Sequence, residues 1–320
     1  MGDFEFEGRM EKLIPAEVRM ISGCQDSQTS ADVSHVGQFQ LPDPAGRAGG
    51  ACTSALLKVL YAEERAPTED LSWVEVLTRM REILRGDYTQ VPQLTSSRKM
   101  DVNAPFNIVP PGSYGTRRAV LIGINYVGQQ GELSGCHNDA KNIKKYLMAV
   151  HGFLEDDIVC LFDDGYHRSP TKNNIIHALQ NLAFDSQPGD VAFVHYSGHG
   201  GFVEDDDGDE EDGYDETMIP VDFQSAGQIR DDDLFRYLVG PMKAGVTLTA
   251  LMDCCHSGTI LDLPYRFKAD GEADDMGRDE RYNEDKFSGI DLAFAGAAAA
   301  CCLIELCACV GDILDMFMGD

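Results

Sequence analysis

Two short strings carry the residue types from which a covalent catalyst is built. "FVHYSGHG" (193–200) sets His199 between two glycines, and "LMDCCHSGT" (251–259) ends an apolar run in two adjacent cysteines and a histidine. A thiol nucleophile needs an imidazole to take its proton and backbone N–H groups to receive the oxyanion. Here Cys255 would be the sulfur and His199 the base, with the backbone N–H of Gly200 free to donate to the oxyanion. Two other readings stand beside this one. A cysteine at a strand end is often only a small buried hydrophobe. His195, His199, Cys254, Cys255 and His256 could also be grouped as zinc ligands. The spacing of His195 and His199 suits one face of a helix, however, whereas the apolar run up to them reads as a strand. No C-x-x-C pair occurs in the chain.

Carboxylates flank both strings. Asp253 lies two residues before Cys255, and Asp139 stands in "GCHNDA". At the floor of a pocket such groups pair with Arg or Lys. Taken alone, Asp139 reads as a charge in the first turn of a helix, favourable with the dipole. The run "EDDDGDEEDGYDE" (204–216) packs ten carboxylates into thirteen residues. Its default reading is a solvated loop. It fails the EF-hand pattern in either glycine frame, because Val203 or Gly208 falls on the first ligand position.

The elements that must position these groups alternate. "RAVLIGINY", "DIVCLF", "DVAFVHYSGHG" and "VTLTALMDCC" read as buried strands. "NDAKNIKKYLMAVHGF", "KNNIIHALQNLAF" and "DDLFRYLVGPM" read as the helices between them. That alternation predicts an α/β fold with a mostly parallel sheet flanked by helices, its active rim beyond the C-terminal strand ends. Both strings lie on that rim. Towards the N-terminus, "EVRMISG" reads as a strand, and "ACTSALLKVLYAEE" and "LSWVEVLTRMREILRG" as helices, the latter ended by Gly86. "NAPFNIVPPGSYG" (103–115) has the prolines and glycines of a linker or turn.

Composition narrows the partners. Among 320 residues, 26 basic against 54 acidic side chains leave a formal net charge of −28. That field repels phosphate backbones and anionic lipid, and attracts metal ions and basic peptides. Nucleic acid is therefore not expected. The N-terminal "MGDFEFEGRMEKLIP" has no secretory pattern, and ten cysteines then suggest free thiols in a reducing, cytoplasmic setting. The run "LAFAGAAAACCLI" gives thirteen uncharged residues before Glu305, short of a membrane span. A packed helix is expected there.

"FVHYSGHG" and "LMDCCHSGT" resemble the His and Cys motifs of metacaspases, caspase-like cysteine peptidases. The resemblance extends through "RRAVLIGINY", "LSGCHNDAKNI", "IPVDF" and "DLPYRF". In addition, "MISGCQDSQTSADV", "GGACTSALLKVL" and "QVPQLTSSRKMDVNAPFNI" resemble the metacaspase small subunit, here ahead of the catalytic part as in type III metacaspases. The resemblance implies a caspase-like fold, with a small-subunit-like region (1–112), a catalytic region (113–267) and an acidic linker with an apolar tail (268–320). It implies that strands of the first region complete the sheet of the second. It makes Cys255 the nucleophile and His199 its partner, and leaves Cys254 as a packed neighbour. It groups Cys136, Asp139, Ser197 and Asp253 around a pocket for Arg or Lys, and Asp215, Asp231, Asp232 and Asp262 as calcium ligands. The expected activity is calcium-dependent cleavage of proteins after basic residues by a monomer. Self-cleavage is expected at Arg266, Lys268, Arg278 or Arg281, in a polar and flexible segment. The rival from another class is a calcium-responsive binding or scaffold protein without catalysis.

Overall fold

The structure, a computed structural model, describes residues 3–23, 51–60, 71–85, 91–204, 213–254, 257–271, 275–279 and 282. Cys255, His256, Gly86, Arg281, most of the acidic run and the apolar tail lie outside the described residues.

An eight-stranded sheet organises the chain in the order β11-β10-β2-β1-β9-β5-β3-β4. The strands are β1 (Glu17–Ser22), β2 (Gln93–Ser96), β3 (Arg117–Gly123), β4 (Ile158–Phe162) and β5 (Val191–Ser197), with β9 (Thr247–Asp253), β10 (Tyr265–Lys268) and β11 (Gly277–Arg278) closing the set. β1, β9, β5, β3 and β4 run parallel; β2, β10 and β11 are added antiparallel. The N-terminal strand β1 pairs directly with β9, so the two halves of the chain share one sheet. This is the α/β caspase-like architecture expected.

Two cores follow from the two faces of the pleat. On one face, Val120, Ile122, Val194, Leu248 and Ala250 pack with Ile175, Leu179 and Leu182 of α5 (Lys172–Asp185). On the other, Ala119, Leu121, Phe193 and Leu251 meet α1 (Asp3–Leu13), α2 (Ala51–Leu60), α3 (Trp73–Leu84) and α4 (Cys136–His151) through Phe6, Leu56, Trp73 and Ile143. Strands buried on both faces explain why they read as near-continuous apolar runs. Local signals set the helix ends. Ser72 Oγ accepts from Glu75 N–H at 3.3 Å while Glu75 returns a bond to Ser72 N–H at 2.8 Å, a capping box for α3. Gly152 ends α4 with a φ of 62°.

Beyond β5 the chain turns into a second sheet of three strands, β6 (Gly200–Glu204), β7 (Tyr214–Met218) and β8 (Ile229–Arg230), with the short helix α6 (Phe223–Ala226) between the last two. The segment expected as one helix at "DDLFRYLVGPM" is instead a single turn, α7 (Asp231–Leu234), widening into a π-helix over Phe235–Val239. The expected flexibility of the polar segment after 264 is corrected in part. Residues 265–268 form β10 between β2 and β11, where backbone pairing restrains Arg266 and Lys268. The boundary placed at 267 accordingly falls inside a strand. Among the described residues, no helix is long and apolar enough to cross a membrane.

Candidate active site

The parallel register sets the site. Ser197 at the end of β5 is the partner of Asp253 at the end of β9. In sequence, His199 and Cys255 each follow these strand-end residues by two positions. Cys255 lies outside the described residues; the groups around the imidazole do not.

His199 is buried, and its Nε2 lies 2.8 Å from the carbonyl oxygen of Gly131. A carbonyl oxygen only accepts, so Nε2 carries the hydrogen and Nδ1 is the basic nitrogen of the neutral ring. Burial lowers the imidazole's pKa, opposed by the Gly131 carbonyl. The ring packs 4.8 Å from that of Tyr126. Two buried tyrosines fix the backbone on either side. Tyr126 Oη accepts from His199 N–H at 3.0 Å and donates to the Ile219 carbonyl at 2.7 Å. Tyr196 Oη donates to the His199 carbonyl at 2.6 Å and accepts from Ile219 N–H at 3.2 Å. Each hydroxyl thus uses one proton and one lone pair, and four buried backbone groups are satisfied. Gly198 is required here: a Cβ would sit 2.8 Å from Tyr196 Oη.

The loop that offers Gly131 is itself pinned. Asp163, just past β4, accepts from Asn125 N–H at 2.9 Å, Val127 N–H at 3.1 Å and His137 Nε2 at 2.6 Å. Tyr126, between them, holds a φ of 53°, a strained value for a bulky residue. Gly200 opens β6 opposite Met218. Ile219 N–H bonds to the His199 carbonyl at 3.3 Å, so the pair before it is the hydrogen-bonded one. Antiparallel ladders alternate, and the Gly200 N–H is therefore not spent on β7. An oxyanion donor requires that freedom.

The four residues grouped in the sequence around a basic side chain come together. Ser197 Oγ donates to Asp139 Oδ2 at 3.2 Å, and Cys136 lies against both. Burial, then the charge of Asp253, pushes Asp139 up to about 7. Burial pushes the Cys136 thiol up to about 12, so it is protonated at neutral pH. Gly123 lets α4 approach β3, since a Cβ there would lie 2.7 Å from the Cys136 carbonyl. Asp253 also makes contacts that the sequence did not disclose. Its oxygens accept from Cys52 N–H at 3.3 Å and Thr53 N–H at 2.6 Å, in the first turn of α2. Thr53 Oγ1 also meets His195 Nε2 at 3.0 Å. His195 is therefore spent on packing the N-terminal region, away from His199, and burial lowers its pKa to about 3. Cys254 and Cys52 are buried in the two cores.

Of the four acidic positions grouped as cation ligands, the fold gathers three. Asp215 on β7 and Asp231 and Asp232 on α7 offer oxygens within 4.8 Å of one another. Hard carboxylate donors at such spacing fit a hard divalent cation. Asp262 stands outside that cluster, on the loop before β10, with a φ of 47°. Among the described residues this is the sole group of three or more metal-ligating side chains, and it contains no histidine or cysteine. Sequence reasoning missed Gly131, Tyr126, Tyr196 and Asp163. Only the two tyrosines, in "INY" and "HYS", lay within the strings singled out.

A family profile described as "Metacaspase, peptidase C14 domain" matches residues 117–264, and one described as "Caspase domain" matches residues 6–102. The protein "Metacaspase III c" of Phaeodactylum tricornutum is 55% identical over 288 residues, covering 89% of this chain and 86% of its own length. "Metacaspase-1" of Botryotinia fuckeliana is 54% identical over 159 residues, 49% of this chain and 38% of that protein. A solved structure of a protein from Geobacter sulfurreducens shares 33% identity over 46% of this chain and 53% of that one, with a TM-score of 0.37. The likeness to the Phaeodactylum protein runs through both halves of the shared sheet, and with it the chain belongs to the metacaspase family of cysteine-type peptidases.

Proposed function

We propose that this peptidase is a calcium-dependent endopeptidase that cleaves proteins after Arg or Lys through a dyad of Cys255 and His199. The observation that carries the reading is the oriented imidazole. Nε2 is committed to Gly131, which leaves Nδ1 as the nitrogen that can take a proton.

In this account Nδ1 removes the proton of the Cys255 thiol, and the thiolate attacks the scissile carbonyl carbon. The Gly200 and Cys255 N–H groups receive the negative charge on the carbonyl oxygen. The tetrahedral adduct collapses, and the imidazolium gives its proton to the departing amine. That leaves a thioacyl-enzyme, which water hydrolyses with His199 again as base. The P1 side chain enters beside Ser197 and Asp139. An arriving guanidinium favours the ionised form of Asp139 and so reverses the protonation that burial imposes.

Calcium would be held by Asp215, Asp231 and Asp232, where its charge offsets their mutual repulsion. This chain supplies a short route from there to the thiol. Glu216, next to Asp215, accepts from Thr259 Oγ1 at 2.6 Å. Thr259 lies four residues after Cys255. A strand β7 held in place by its acidic cluster therefore also holds the loop that follows the nucleophile. Within β10 the paired backbone opposes self-processing at Arg266 and Lys268. The test is a pair of fluorogenic reporters, one ending in Arg and one in Asp, offered to the full chain with and without calcium. Release from the Arg reporter alone, abolished by chelation, is expected; release from the Asp reporter, or indifference to chelation, overturns the proposal.

A further inference from the structure

The acidic cluster is not left to its own repulsion. Arg230 Nη1 lies 2.9 Å from Asp215 Oδ2, and the guanidinium is 30% exposed while the Asp215 side chain is 1% exposed. The pairing follows from local structure. β8 lies antiparallel to β7 with Arg230 opposite Thr217, and Asp231, the next residue, begins α7. Strand and turn therefore deliver the cation and two of the acids together. Asp231 is fixed from its own side, its oxygens accepting from Asp232 N–H at 2.8 Å and Glu216 N–H at 3.3 Å. Lys172 Nζ lies 3.7 Å from Asp233 and donates to the Gln228 carbonyl.

The carboxylate that Arg230 grips is one of the three that converge in the cluster. A divalent ion bound there would compete for the same carboxylate, and would lie close to a fixed positive charge unless that charge moved. The buried carboxylates cannot retreat without losing their packing. The long, partly exposed arginine can. We propose that Arg230 is a tethered cation that holds Asp215 in the metal-free protein and yields it to a divalent ion, so that its charge sets the ion concentration at which the site fills. This rests on reading Asp215, Asp231 and Asp232 as cation ligands. It adds a residue that opposes binding, where that reading supplies only residues that favour it.

The two claims separate in one experiment. Calcium binding to the full chain is measured by calorimetry, and thermal unfolding is followed in chelator and in saturating calcium, for wild type, Arg230→Met and Arg230→Lys. Arg230→Met keeps an unbranched apolar stem and removes the charge. It is expected to bind calcium about five- to tenfold more tightly, yet to unfold at a lower temperature in chelator, because three neighbouring carboxylates then lack the cation. Arg230→Lys is expected to stay within about twofold of wild type in affinity. If Arg230→Met does not fold in chelator, Arg230→Gln gives the same comparison. Equal or weaker calcium affinity in a folded neutral variant, beside a wild type that binds, overturns the role of Arg230 and leaves the site standing. A wild type that takes up no calcium overturns both.

Discussion

Asp139 should trade stability for recognition, and the trade can be measured. Burial first, and the neighbouring Asp253 second, push its carboxyl from 3.8 to about 7. The folded protein thus holds this proton more tightly than the unfolded chain. The sign follows by linkage: the stabilisation is complete below about pH 4, is lost as pH rises through 7, and stays lost above. A displacement of that size corresponds to roughly 4 kcal/mol. Residual solvent contact and relaxation around Asp253 reduce the measurable part to about 1–3 kcal/mol. Asp139→Asn removes the ionisation, while its amide oxygen can still accept from Ser197. At pH 8 the variant should therefore unfold some 2–8 °C above wild type, and the two should converge near pH 4. Turnover of an Arg-terminated reporter should fall about a hundredfold, since the pocket loses its charge. Scanning fluorimetry from pH 4 to 8 at fixed calcium gives the first reading, and steady-state kinetics the second. A gap independent of pH, or a variant that melts below wild type at pH 8, would refute the reasoning.

Three further outcomes follow from named contacts. Tyr126→Phe strips an acceptor from His199 N–H and a donor from the Ile219 carbonyl, both buried. It should cost about 2–4 kcal/mol in urea titration and lower kcat more than it raises KM. Asp253→Asn turns an acceptor into a donor facing the amides of Cys52 and Thr53. Hydrogen exchange should then show α2 opening before the parallel strands, which an exclusively substrate-facing Asp253 would not produce. Thr259→Val breaks the bond to Glu216. Calcium affinity by calorimetry should hold within about twofold while calcium-supported turnover drops about tenfold, the signature of lost coupling rather than lost binding.

How far the fold could be read depended on which forces wrote it. β3, β4, β5 and β9 were legible because burial on both faces leaves unbroken apolar runs. The strings around His199 and Asp253 were legible because glycines and titratable groups cluster at strand ends. β2 and β10 were not. At four residues each, in "QLTS" and "YRFK", they carry no periodicity, and their strand character comes from pairing with each other and with β1. The hairpin of β6 and β7 was hidden by an acidic run whose charges say loop. The widened turn at Phe235–Val239 has the spacing of an ordinary helix in sequence, and only packing distinguishes them. At the site, the residues proposed to do the chemistry were visible and the groups that aim them were not. Gly131 acts through a carbonyl oxygen, which every residue owns. Asp163 acts on three groups up to 38 residues away, a juxtaposition created by β4 lying beside β3. The anchoring of Asp253 by α2 joins residues 200 positions apart.

The most direct measurement is covalent. The full chain is incubated with a peptide acyloxymethyl ketone ending in Arg, which alkylates an activated thiol, and the adduct is mapped by peptide mass spectrometry. One adduct on Cys255, formed in calcium and at least a hundredfold slower in His199→Ala, is the predicted result. Modification of a different cysteine, or equal rates with and without the imidazole, would contradict it.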